Sequence, residues 1–214
     1  MINQGTIIAK ASGAGSSAIS LFRLSGSNSI EMVSDCFQPK SQKKLLDQKS
    51  HTVHLGTLKH NGDALDEVLV SIFKAPNSYT GENIVEISCH GSNYIQEEIL
   101  RLFISKGAQP AKPGEFTLRA FLNKKMDLSQ AEAVADLIVS ESKAAHEVAM
   151  NQMRGGYTAE ITQLRQKLLD FASLITLELD FAEEDVAFAD LTALTELLLA
   201  MQSKIKSLLD SFQY

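Results

Sequence analysis

Short apolar runs bounded by glycine predict β-strands in the N-terminal part of the chain. The segments Thr6–Ser12 and Ile19–Gly26 have this pattern and flank a loop at Gly13-Ala14-Gly15. Further along, two apolar runs are joined by Asn61-Gly62. Because both residues of that pair tolerate positive φ, they predict the turn of a β-hairpin.

Helical periodicity is interspersed with these strands. A short helix is predicted at about Ser29–Phe37 and an amphipathic one at about Asn93–Lys106, which Gly107 ends. The longer helix has one apolar face, formed by Ile95, Ile99, Leu102 and Phe103. Strands and helices together make this part an α+β domain with a mixed sheet.

From Asp127 onward the apolar positions follow helical spacing alone, and Asp127 and Gln130 are placed like a capping box. This first helical segment is predicted to run as far as Gly155-Gly156. Two more helices are predicted at about Thr158–Leu179 and Leu191–Phe212. Three long helices with short breaks indicate part of an all-α bundle.

The change of pattern divides the chain into two predicted domains, residues 1–122 and 123–214. A hydrophobic content of 44%, a charged content of 21% and 214 residues in total are typical of a soluble globular protein. The net charge of -6 argues against binding nucleic acid through the overall field of the protein. Any contact with RNA must therefore be local or supplied by a partner.

Several absences narrow the class of protein. The sequence has no run of 18 apolar residues and no secretory signal, which predicts no membrane association. Cys36 and Cys89 lie in apolar contexts without metal-ligand spacing, which favours reduced thiols and a cytoplasmic location. No glycine-rich P-loop ending in Lys-Ser or Lys-Thr exists, so these residues alone are not expected to hydrolyse a nucleoside triphosphate.

Glu86 is the first candidate for chemistry, because it interrupts the apolar run Ile84–Ile87. A buried carboxylate without a partner is costly, so its side chain must face solvent or have a dedicated donor. One interpretation is a ligand that accepts two parallel hydrogen bonds from a flat heterocycle such as a pterin. The other is a solvent-facing strand residue beside a cross-strand basic residue.

Two histidine-containing pairs are weaker candidates. Cys89 and His90 are adjacent on a predicted strand, so their side chains point to opposite faces and are not expected to form a catalytic pair. We expect His90 to mark the strand's end, before the following helix. His51 and His54 also lie on opposite faces of a strand, and we assign no metal to the chain.

Three further features have both a structural and a functional interpretation. The segment Lys112–Asp127 is a basic patch, with Lys112, Arg119, Lys124 and Lys125 against Glu115 and Asp127, and is either a solvated mixed-charge surface or an anchor for an anionic ligand. From its position on a predicted strand next to a loop, Arg23 is interpreted as an ordinary arginine at a sheet edge. The acidic run Asp180–Asp190 is expected to be a solvated connector between helices.

Four stretches together resemble the bacterial MnmE (TrmE) family of tRNA-modification GTPases, and the similarity covers essentially the whole chain. They are "TIIAKASGAGSSAISLFRLSG", "FKAPNSYTGENIVEISCHGS", "KPGEFTLRAFLNKKMDLSQAEAVADLI" and "ELDFAEED". The second and third are long and occur in the order expected for the family, which makes the resemblance specific.

The resemblance implies an N-terminal folate-binding domain that forms a homodimer and has an aminomethyltransferase-like fold, a mixed sheet with helices. A helical domain interrupted by a Ras-like G domain follows it in the family. With the FAD protein MnmG, the family adds an aminomethyl or carboxymethylaminomethyl group to C5 of the wobble uridine of certain tRNAs. A tetrahydrofolate derivative, 5-formyl- or methylene-tetrahydrofolate, supplies the one-carbon unit. GTP hydrolysis with Mg²⁺ and K⁺ belongs to the G domain, so the chain is expected to be the part that precedes it.

The family's folate contacts correspond to Arg23, Glu86 and Lys125, and no catalytic residue is assigned. An alternative is a stand-alone folate-dependent aminomethyl or formyl transferase. A second alternative is a noncatalytic helical interaction module, in which Glu86 and the basic patch are only surface.

Overall fold

The computed structural model describes residues 5–41, 43–180 and 191–211. The chain divides into two compact units, residues 1–131 and 132–214. The first is an α+β domain and the second is helical, as the sequence predicts. The last residue of the predicted third helix, Phe212, and all of the acidic run except Asp180 lie outside the described residues.

One mixed sheet organises the first unit. Its order is β3-β4-β5-β6-β2-β1-β7, and all neighbours are antiparallel except β1 and β7. The described strands are β1 Ile7–Lys10, β2 Ser17–Ser25, β3 Phe37–Pro39, β4 Thr52–His60, β5 Asp63–Phe73, β6 Ile84–Gly91 and β7 Gln109–Pro110. The two short strands β3 and β7 were not predicted, because runs of two or three residues have no measurable periodicity.

The predicted hairpin is confirmed. Its strands, β4 and β5, pair from Thr52 opposite Ile72 to His60 opposite Asp63 with one register shift after Leu58, and the turn residues Asn61 and Gly62 have φ of 53° and 92°. Left-handed conformations at both turn positions suit the right-handed twist of the strands. The sequence pair therefore fixes the register of two of the longest strands.

Two helices cover one face of the sheet, α1 Ser29–Ser34 and α2 Asn93–Ser105. Side chains from both helices and from alternate strand positions form the core, with Phe22, Leu24 and Phe103 completely or almost completely buried. The hydroxyl of Ser92 accepts a hydrogen bond from the Ile95 amide and caps α2. The short helix α1 ends before the predicted limit, because the chain enters β3 at Phe37.

Along the chain, α3 (Glu115–Leu122) follows β7. A 3-10 helix, Leu45–Asp47, lies in the connector from β3 to β4. Gly114 precedes α3 with φ of 74°, a left-handed conformation that glycine adopts without strain. The helix therefore starts directly after the Pro113-Gly114 pair.

The second unit holds α4 Leu128–Val139, which begins just before the boundary, then α5 Lys143–Met153, α6 Gly156–Asp180 and α7 Leu191–Ser211. The capping box is confirmed, since the backbone amides of Asp127 and Gln130 each donate to the other's side chain at 2.9 and 2.8 Å. The first predicted helix is in fact two. Ser142 caps the second of these by accepting from the Ala145 amide.

Many large apolar side chains of the second unit are exposed, among them Ile138 at 79% and Val139 at 72%. Along α6 and α7 the exposed set includes Ile161, Leu169, Leu198, Leu199 and Ile205. None of the described helices is both long enough and apolar enough to span a bilayer.

Candidate functional site

Glu86 lies on the face of the sheet opposite α1 and α2. Its strand neighbours Val85 and Ile87 are fully buried in the core, whereas Glu86 is half-buried. Successive side chains of a strand alternate between faces, so the apolar run continues on one side while the carboxylate occupies the other. The acidic residue therefore interrupts the strand pattern without entering the core.

Arg23 on β2 is the cross-strand neighbour of Glu86. The Glu86 Oε1 atom accepts hydrogen bonds from Arg23 Nη2 at 2.6 Å and Nε at 2.8 Å. Only 27% of the arginine side chain and 20% of the glutamate side chain are exposed, so solvent screens the pair less than an ordinary surface ion pair. Within the described residues no partner contacts Glu86 Oε2, which leaves acceptor capacity on this carboxylate.

Two aromatic rings flank the guanidinium group. The Arg23 Cζ atom lies 5.4 Å from the ring centroid of Tyr79 and 5.7 Å from that of Phe116. These distances are in the range of cation–π attraction, which favours a fixed orientation of the guanidinium plane. The Tyr79 hydroxyl is 2.8 Å from Thr117 Oγ1, so the ring is tied to α3. Sequence reasoning did not identify either aromatic residue as part of the site.

Lys125 contacts the same loop that carries Tyr79, which we call the latch loop, residues 76–83. Its Nζ atom donates to the Pro76 carbonyl at 3.0 Å, and its aliphatic stem lies over Gly81. Asn123 Nδ2 donates to the Thr80 carbonyl at 2.7 Å. The structure thus brings Arg23 and Glu86 into direct contact and places Lys125 against the loop that flanks them.

A polar network beneath the latch loop includes Arg119, a residue that sequence reasoning missed. Its side chain is 3% exposed and pairs with Glu82 at 3.1 Å and Glu115 at 3.2 Å. Glu82 also accepts from the Ser25 hydroxyl, which lies 2.7 Å from Thr80 Oγ1. The one sequence signal was the spacing of Glu115 and Arg119, four residues apart on a helix.

The sheet face that carries Glu86 also carries a group of exposed apolar side chains. Leu55, Leu69, Ser88 and Leu21 form one row across β4, β5, β6 and β2 by their register. The exposed large apolar side chains on this face are Ile19, Val53, Leu55 and Leu69. The Arg23–Glu86 pair lies in the adjacent row and borders this surface.

The two cysteines are buried and have no role in this site. Burial raises the pKa of the Cys36 thiol and of the Cys89 thiol to about 11 each, with the charge of Asp66 as a smaller cause at Cys89. Both thiols are therefore protonated and unreactive at neutral pH. His90 instead points outward, with Nδ1 2.7 Å from Asp66 Oδ1. Its strand ends at Gly91, immediately before the cap of α2, as predicted.

The two histidines at the start of β4 make separate local contacts. His51 Nδ1 lies 2.8 Å from the Ser50 hydroxyl, and His54 Nε2 lies 2.7 Å from the Thr52 hydroxyl. In the described part of the chain no three metal-binding side chains cluster.

Two family descriptions match consecutive parts of the chain. "GTP-binding protein TrmE N-terminus" matches residues 6–125, more than half of the sequence. The chain belongs to the TrmE (MnmE) family. The description "MnmE helical domain" matches residues 128–214, so the two matches meet between α3 and α4.

Curated relatives agree with this assignment. The tRNA modification GTPase MnmE of Flavobacterium johnsoniae is 58% identical over 99% of this chain and 46% of its own length. The protein with the same name from Bacteroides thetaiotaomicron is 53% identical over 99% of this chain and 45% of its own length. The chain therefore spans less than half the length of these relatives.

Proposed function

We propose that this chain is the folate-binding and dimerising portion of a cytoplasmic GTPase that, with MnmG, modifies C5 of the wobble uridine of certain tRNAs. The name that the relatives share, tRNA modification GTPase, supports the substrate class. In this proposal GTP hydrolysis, with Mg²⁺ and K⁺, belongs to sequence beyond these 214 residues, which contain no P-loop motif.

The observation that carries the folate proposal is the Arg23–Glu86 pair beside two aromatic rings on an open face. A pterin is flat and has an N–H and an amino group along one edge, which matches a carboxylate with a free acceptor atom. Glu86 offers Oε2 for this purpose, because both contacts from Arg23 use Oε1. The free acceptor of Glu86, the guanidinium of Arg23 and the rings of Tyr79 and Phe116, which we call the folate niche, therefore suit a tetrahydrofolate derivative, 5-formyl- or methylene-tetrahydrofolate.

Each of the three residues then has a distinct task. Arg23 fixes the orientation of the Glu86 carboxylate through its two hydrogen bonds to Oε1, so that Oε2 can accept from the pterin edge. Lys125 provides a cation beside the latch loop for the anionic part of the ligand. The folate, when bound, supplies the one-carbon unit for the tRNA base.

Replacing Glu86 by glutamine is expected to weaken binding of 5-formyltetrahydrofolate by more than about tenfold, or about 1.4 kcal/mol, as measured by titration calorimetry. The amide keeps the size of the side chain but removes one acceptor and the charge. The control is Glu67→Gln, because Glu67 is likewise paired with a basic residue, Lys40, and is remote from the latch loop in sequence. Equal affinity of wild type and E86Q would refute the assignment.

The open apolar face supports the homodimer in this proposal. Ile19, Val53 and Leu69 are 65%, 61% and 45% exposed, and they lie on strands of one open sheet surface. Burying such side chains against a second copy would remove apolar area from water at about 25 cal/mol per Å². The same contact would enclose the niche around Arg23 and Glu86 at its edge.

Leu69→Lys is expected to convert a dimer into a monomer in light-scattering mass measurements, because it places an ammonium group in the centre of this face. Ile104→Lys is the matched control, since Ile104 is similarly exposed at 43% but lies on α2, across the sheet. A dimer that survives L69K, or a monomer in both variants, would argue for a different interface.

A further inference from the structure

Basic residues are concentrated in the connector between β3 and β4. The stretch "KSQKKLLDQK", residues 40–49, contains four lysines and one aspartate, although the whole chain has a net charge of -6. The acidic composition of the whole protein would not predict such a local excess of positive charge. A polyanion would therefore meet less electrostatic repulsion at this segment than over the rest of an acidic surface.

The connector forms an open groove of about 550 Å³. Its lining residues are Lys43, Lys44, Asp47, Gln48, Lys49 and Thr52. Among the residues that the structure describes, no carboxylate lies within ion-pair distance of Lys43, Lys44 or Lys49. Three exposed ammonium groups therefore border one concave surface and share a single acidic neighbour.

The groove is held in place by packing. Leu45 is 1% exposed and belongs to the core, so it anchors the 3-10 helix between the lysines. Lys74 Nζ donates to the Leu46 carbonyl at 3.1 Å, and Gln48 Nε2 donates to the Lys44 carbonyl at 3.1 Å. The backbone that carries the lysines is thus fixed, while the charged ends remain in solvent.

The connector is tied by a hydrogen bond to the residues that lead into the latch loop. Lys74, whose Nζ donates to the Leu46 carbonyl, is two residues before Pro76 in the sequence.

We propose that this lysine groove binds phosphate groups of the tRNA backbone. The inference rests on the proposed function, which supplies tRNA as the polyanion. Lysine is a compact point charge suited to phosphates along a flexible strand. Three such charges along one groove match the repeated negative charge of a nucleic-acid backbone better than a single carboxylate does. Such contacts position RNA without reading its sequence.

The test is the salt dependence of binding of an unmodified tRNA transcript to the 214-residue chain, measured by fluorescence anisotropy. For Lys43→Gln, Lys44→Gln and Lys49→Gln combined, we expect at least about tenfold weaker binding at low salt. The slope of log K against log salt is expected to fall by about 2–3, roughly one for each lysine that no longer neutralises a phosphate. The corresponding triple arginine variant keeps the charge and is expected to bind like wild type.

A matched control removes the same charge elsewhere. Lys143, Lys167 and Lys206 are exposed lysines of the helical region, and their triple glutamine variant is expected to keep the wild-type slope. Equal weakening in the two glutamine triples would overturn the groove proposal, as would absence of tRNA binding by wild type. The proposal would also be overturned if the groove glutamine triple weakened binding of polyglutamylated folate and left tRNA binding unchanged. Because 5-formyltetrahydrofolate titration is expected to be unchanged in the groove variant, failure of the groove and failure of the folate site are distinguishable.

Discussion

Replacing Arg119 by methionine is expected to lower the free energy of unfolding of the first unit by about 3–5 kcal/mol. Methionine fills much of the same volume but leaves the Glu82 and Glu115 carboxylates without their shared cation. Removing one partner of a buried ion pair strands the desolvated charge that remains, and this penalty exceeds what the pair itself contributes. Since Glu82 belongs to the latch loop, we also expect weaker folate binding.

The measurement is urea unfolding followed by hydrogen exchange in peptides from β2 and β6, which report this unit separately from the helical one. Arg101→Met is the control, because Arg101 also pairs with two glutamates on a helix but is 66% exposed. Its cost should stay below about 1 kcal/mol. Similar costs for the two variants would mean that the network around Arg119 is solvated and does not hold the latch loop.

The parts of the fold that the sequence predicts are those encoded by local patterns. The hairpin needed only Asn61-Gly62 between two apolar runs, and the start of α4 needed only Asp127 and Gln130. The break between α4 and α5 was missed because apolar spacing continues across it, while the Ser142 cap is a single short side chain. Hydrophobic periodicity therefore identifies the buried face of a helix but does not show where one helix ends and the next begins.

The candidate site depends on non-local contacts, which is why sequence reasoning reached only part of it. Glu86 was visible as an anomaly within an apolar run, but its pairing with Arg23, 63 positions away in the sequence, depends on the register of two strands. By its own pattern Arg23 looked like an ordinary edge residue. Arg119 was hidden for the opposite reason, because an arginine on a short helix is normally solvated, and only the structure shows it buried at 3% exposure.

Gly91→Ala is expected to destabilise the first unit by an amount at or above the upper end of the roughly 1–3 kcal/mol typical of overpacking. A Cβ atom at Gly91 would lie 2.2 Å from the Ser17 carbonyl oxygen and 2.7 Å from its carbon. Because these atoms of Ser17 belong to the backbone, no side-chain rotation relieves the contact. The strands β2 and β6 must therefore move apart where Ser17 pairs with Gly91. The Gly91 carbonyl also accepts from Gln96 Nε2 at 2.8 Å, so the start of α2 would shift with it.

Gly13→Ala is the matched control, because a Cβ atom at Gly13 would have no neighbour within 4 Å and its φ is not left-handed. Its unfolding free energy should stay within about 0.5 kcal/mol of wild type. Both substitutions restrict the backbone of the unfolded chain equally, so the difference between them isolates the contact with Ser17. Equal stability of G91A and G13A in the urea measurement would contradict this prediction. It would mean that β2 and β6 can move apart at Ser17 and Gly91 without cost, so that no steric reason requires glycine at the end of β6.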